Sequence, residues 1–179
     1  MKKILLLVLC LLVFGPFLSC PANVVNTQFA AKPEPCKFLT PSDAEKILGQ
    51  PVRLIENISE IEGNVRKTAC VYTGISKERA GGKEVNLYFS LEMKEENRTV
   101  EEARQIFNST YTKINEPSLS VEVLNGIGDE AFSISNPGNF HFIMVRKGEN
   151  IFRIKLNKAT ENTLLGELKA FAKKFAEQI

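Results

Sequence analysis

Glu84-Val85-Asn86-Leu87-Tyr88-Phe89-Ser90-Leu91-Glu92 decides the fold class. Val85, Leu87, Phe89 and Leu91 alternate with more polar side chains, the period of two that belongs to a strand with one buried face and one face toward water. Phe152, Ile154 and Leu156 repeat the pattern between Arg153, Lys155 and Asn157. Strands with one wet face suit an antiparallel sheet, because parallel sheets are buried on both faces by their crossover helices.

Working outward, strands are expected over about 52–58, 68–74, 84–92, 120–124, 130–135, 140–147 and 151–157. Three helices punctuate them. Thr40-Pro41-Ser42-Asp43 is a helix start, with Thr40 as cap, Pro41 at the first helical position and Asp43 answering the positive end of the dipole. Gly49 and Pro51 stop that helix. Thr99 and Glu102 have capping-box spacing, and Ala103, Phe107, Thr110, Tyr111 and Ile114 mark the buried stripe of a second helix ending before Pro117. Leu164, Leu168, Phe171, Phe175 and Ile179 recur at helical spacing, which predicts a third helix from about 161 to 178. The expected architecture is therefore α+β, in the order α-βββ-α-ββββ-α. A mainly antiparallel sheet of six or seven strands packs with three helices on one of its faces.

The chain's 179 residues suffice for one domain, and 25% charged with 44% hydrophobic residues is a globular composition. The formal charge of +2 gives no basic footprint, so no nucleic-acid partner is expected. Met1-Lys2-Lys3 precedes an uncharged apolar run from Ile4 to Phe14, which Gly15-Pro16 interrupts. That is the layout of an export signal, and the run is too short for a spanning helix. The domain plan is a signal peptide over 1–19, a proline-marked tether over 20–35 and a single α+β domain over 36–179. Removing Lys2 and Lys3 leaves equal numbers of basic and acidic residues.

Phe17-Leu18-Ser19-Cys20 is similar to the lipobox of bacterial lipoproteins, which implies acylation of Cys20 and a membrane-anchored envelope protein. Phe17 and Leu18 depart from the usual lipobox pattern. Cleavage after Ala22, giving a periplasmic or secreted soluble protein, is the alternative. Either cut leaves Cys36 and Cys70, and two thiols in an oxidising compartment are expected to pair; two buried free thiols are the other reading.

Cys36-Lys37-Phe38-Leu39-Thr40-Pro41-Ser42-Asp43-Ala44, Leu48-Gly49-Gln50-Pro51-Val52, Cys70-Val71-Tyr72 and Gly126-Ile127-Gly128-Asp129-Glu130-Ala131-Phe132 together resemble a group of exported bacterial domains of unknown function, many of them lipoproteins. The resemblance implies an envelope protein with Cys36 bonded to Cys70, and implies no catalytic residue or cofactor. In element order the chain is also similar to the PsbP-like α/β/α sandwiches, a likeness of fold that argues nothing about activity.

Candidate chemistry is sparse. His141 is the chain's single histidine, between two phenylalanines in an expected strand. Gly126-Ile127-Gly128-Asp129-Glu130 is followed by neither a helix nor Lys-Ser/Thr, so it reads as a turn with two acids rather than a phosphate loop. No Gly-x-Ser-x-Gly or Ser-x-x-Lys motif supplies an activated nucleophile. The expectation is a non-catalytic envelope domain that binds another envelope protein or a small apolar ligand between sheet and helices, with no cofactor and no metal. The alternative is a hydrolase or metal-assisted enzyme using His141 with Asp129 or Glu130, which requires those residues to converge.

Overall fold

The computed structural model describes residues 34–63, 65–75, 85–94, 98–114, 116–136, 139–158 and 163–179. The signal segment, Cys20, the tether up to residue 33 and the Gly81-Gly82 connection lie outside the described residues.

The elements run α1 (Pro35–Phe38), α2 (Pro41–Leu48), β1 (Val52–Glu62), β2 (Val65–Gly74), β3 (Asn86–Lys94), α3 (Val100–Thr112), β4 (Ser120–Val123), β5 (Glu130–Asn136), β6 (Phe140–Lys147), β7 (Asn150–Leu156) and α4 (Leu165–Ala176). All strand pairings are antiparallel, in one sheet ordered β1-β2-β3-β7-β6-β5-β4. The fold is α+β, mostly sheet, in the expected order. One short helix is added at the front: Pro35, read as the end of the tether, opens α1 and is buried.

Local chemistry accounts for the helix starts. Thr40 Oγ1 accepts from the Asp43 amide at 3.2 Å, while the Thr40 amide donates to Asp43 Oδ2 at 3.2 Å. Gly49, at φ +66°, ends the helix in the left-handed region. Thr99 and Glu102 build the second capping box, with reciprocal bonds of 3.2 and 2.9 Å. Each box satisfies amides that the helix itself leaves without acceptors.

The faces of the sheet differ from the expectation. On one face Cys70, Tyr72, Leu87, Phe89, Leu91, Ile154 and Leu156 form the main core with α1, α2 and α4. Phe175 of α4 sits at its centre, with ring centroids 4.8 Å from both Phe89 and Phe152 and 4.9 Å from Phe38, all edge to face. On the opposite face Phe132, Ile134, Met144 and Ile151 pack under Ala103 and Phe107 of α3. Helices therefore cover both faces, not one. The reason lies in β5 and β6, where successive residues from 131 to 134 and from 143 to 146 are all buried. A strand apolar on both sides needs cover on both sides.

A disulfide joins Cys36 of α1 to Cys70 of β2, which lie 34 positions apart in sequence with Cα atoms 5.2 Å apart. Closing that loop stabilises the fold by about 3–4 kcal/mol in the chain-entropy account. It holds α1 on the main core face, where Leu39 is buried.

Candidate functional site

β5 separates two clefts, one on each face of the sheet. The first is shaped by the glycine turn that leads into it. Gly128 has φ +61°, and a Cβ there would lie 2.5 Å from Val145 Cγ1 and 2.6 Å from the Arg146 carbonyl oxygen. Only glycine combines that backbone angle with that approach. The approach lets the Asp129 amide donate to the Arg146 carbonyl at 2.9 Å.

Arg146, whose side chain is 4% exposed, then gathers the two acids. Its Nε donates to Glu130 Oε2 at 2.5 Å, and its Nη1 to Asp129 Oδ2 at 3.0 Å and to the Gly148 carbonyl at 2.9 Å. Asp129 also accepts from the Gly148 amide at 2.8 Å and from Lys147 Nζ at 3.2 Å. The Gly148 amide above all, helped by Lys147 and Arg146, holds the Asp129 carboxyl below its ordinary range despite its partial burial. These acids tie the β4–β5 connection to the β6–β7 turn.

Above this clamp lies a cleft of about 300 Å³ between α3 and the β4–β5 connection. Phe107, Tyr111, Val123, Leu124 and Phe132 supply apolar walls, and Asn108 and Asn125 supply hydrogen-bonding groups. Tyr111 is 40% exposed yet keeps its ring 5.3 Å from Phe132, which in turn lies 5.0 Å from Phe107. Val123 is 59% exposed on the edge strand β4. Apolar walls with a few placed polar groups are the composition of small-molecule sites.

The second cleft, of about 220 Å³, lies on the other face, where the first turn of α4 meets β4, β5 and β6. Cross-strand register brings Ser135 opposite both His141 and Ser120, and Ser133 opposite both Ile143 and Glu122. Ser135 Oγ and His141 Nδ1 are 2.7 Å apart. Burial lowers the His141 pKa, so the neutral imidazole is favoured. At the rim Lys169 Nζ is held by both Glu122 carboxylate oxygens, at 2.7 and 3.0 Å.

His141 and the two acids do not converge. Glu130 pairs with Arg146, five residues along β6 from His141, a separation of about 17 Å at the rise of a strand. Five positions also place the two side chains on opposite faces. The Ser135–His141 contact is instead the histidine's polar contact, and among the described residues no carboxylate reaches the imidazole to orient it as in a triad. Reading residue types along the chain misses Ser133 and Ser135, since their meeting with His141 comes from strand register. The available signal is their alternation with Phe132 and Ile134, which puts two hydroxyls on one face of β5.

Among the described residues no three of His, Cys, Asp and Glu come together in a way that could hold a metal ion, and no helix is long and apolar enough to cross a membrane. Compared with known proteins, the chain matches no family model, no curated protein and no solved structure.

Proposed function

We propose that this chain is a non-catalytic binding domain of the bacterial cell envelope, exported by its N-terminal segment and anchored to a membrane by acylation of Cys20. Its ligand is a small molecule with an apolar body, seated between α3 and the β4–β5 connection. The single observation that carries the binding reading is the 300 Å³ cleft there, walled by Phe107, Tyr111 and Phe132, with Asn108 and Asn125 beside them. The volume lies at the lower end of the range for ligand sites, which suits a compact molecule. Asp129 and Glu130 do not serve catalysis in this reading, because both are committed to Arg146. The Cys36–Cys70 bridge agrees with an oxidising compartment.

Native mass spectrometry of the full-length gene product extracted from bacterial membranes tests both halves of this reading. The expected species starts at acylated Cys20 and carries a small molecule that leaves on denaturation. Val123→Glu puts a charge at the mouth of the cleft on an exposed strand, and is expected to lose that molecule while the fold persists. A protein starting at Asn23 without lipid overturns the anchor. A preparation with no bound molecule, or a molecule retained equally by the variant, overturns the ligand seat.

A further inference from the structure

The smaller cleft on the opposite face combines groups that the apolar-ligand reading does not use. Ser133 is 7% exposed, lines this cleft, and its hydroxyl makes no hydrogen bond among the described residues. The residue is buried but its hydroxyl opens into the cleft, so it is free to donate to a polar group that occupies the cleft. Directly across from it α4 begins. Its cap residue Leu164 supplies no side-chain bond, and the amides of Leu165 and Gly166, which line the same cleft, have no acceptor among the described residues. Two open amides at the positive end of a 12-residue helix attract negative charge. The hydroxyl and the helix start are independent features, contributed by different elements, and they meet in one cavity.

From this juxtaposition we infer that the cleft between the first turn of α4 and the Ser133–Ser135 face of β5 is a second binding site, for a small monocarboxylate. The Leu165 and Gly166 amides and the Ser133 hydroxyl donate to its two oxygens. The charge count selects the carboxylate. Lys169 is neutralised by Glu122 at the rim, and His141 favours its neutral form, so the donors offer dipoles and little net positive charge. Such a set fits one negative charge, whereas a phosphate dianion calls for cationic partners. Ile143 and Leu168, both buried, and Leu165 provide an apolar floor for a short carbon chain, and about 220 Å³ holds one.

The single histidine makes the test direct, because one imidazole resonance reports on this cleft alone. Hexanoate is titrated at constant pH and ionic strength into the full folded domain while the His141 Cε1–H proton signal is followed by NMR. The expected result is a saturable shift with a Kd of about 1 mM, the strength allowed for a ligand of this size. Inorganic phosphate at the same ionic strength is expected to bind at least about tenfold more weakly. Ser133→Ala keeps the small side chain and removes only the hydroxyl; the shift is expected to need about tenfold more hexanoate, with the rest of the amide spectrum unchanged. No saturable shift, equal binding of phosphate, or wild-type affinity in Ser133→Ala overturns the assignment. The last result would leave Ser133 as a small residue that lets α4 approach the sheet.

Discussion

Phe132 and Ser133 are neighbours on β5 and are both buried, yet they work for opposite sides of the molecule. Phe132 faces α3 in a layer of aromatic rings, above the clamp in which Arg146 holds Asp129 and Glu130. Ser133 faces α4 beside Ser135 and His141, where hydroxyls and an imidazole line the cleft and the Lys169–Glu122 pair stands at its rim. One side of the strand carries packing, and the other carries unused hydrogen-bonding capacity. A buried strand can thus give its two faces different chemistry through alternate residues.

The comparison breaks most sharply under substitution on the α3 side. Phe132→Ala removes a ring that touches Phe107, Tyr111 and Phe142, and is expected to cost about 3–5 kcal/mol in chemical denaturation. Ser133→Ala, one residue on, is expected to change stability by less than about 0.5 kcal/mol, because no described partner is lost. Equal losses at the two positions would show that both faces of β5 are packing surfaces.

Next in size is the clamp. Arg146 is buried while its two carboxylates are each about a third exposed, so the sides of the pair are unequal. Removing both acids together, Asp129→Ala with Glu130→Ala, strands a buried guanidinium with only the Gly148 carbonyl, and is expected to cost about 3 kcal/mol. Arg146→Met replaces the guanidinium with an apolar side chain and leaves carboxylates that water can reach, so it is expected to cost less. A denaturation series in which the Arg146 variant is the weaker one would show that its packing, not its charge, holds the connection.

Much of the fold is legible because its signals are local. The two capping boxes depend on residues three apart, and the alternation in β3 depends on residues two apart. The helix faces are not legible in the same way. Phe142 and Met144 point one way and Ile143 and Val145 the other, all four are apolar, and the choice of which helix covers which pair is made in space. The candidate sites divide along the same line. Asp129 and Glu130 stand out as a pair of acids, but their partner is Arg146, 16 or more positions away. His141 stands out as the lone histidine, but Ser135 reaches it only through the register of β5 on β6. Residue type identifies unusual side chains; strand register decides what they meet.

Acid separates the two sides of β5 by window rather than by size. His141 has its pKa lowered by burial from an ordinary 6.5, so below that value the unfolded chain takes up a proton more readily than the folded one. Stability present above pH 6.5 is therefore lost as the pH falls toward the folded-state pKa, with a slope of at most about 1.4 kcal/mol per pH unit for one proton. Asp129, lowered from 3.8 chiefly by the Gly148 amide, has the same sign in a lower window: its contribution is present above 3.8 and is lost as the pH falls through the folded value. Denaturant midpoints measured from pH 7 to pH 3 are expected to decline in two stages. His141→Gln flattens the first stage, on the α4 side, and Asp129→Asn flattens the second, on the α3 side. Persistence of the upper stage in His141→Gln would mean that the imidazole is as free to protonate in the folded protein as in the unfolded chain, and that the α4 cleft is open to water.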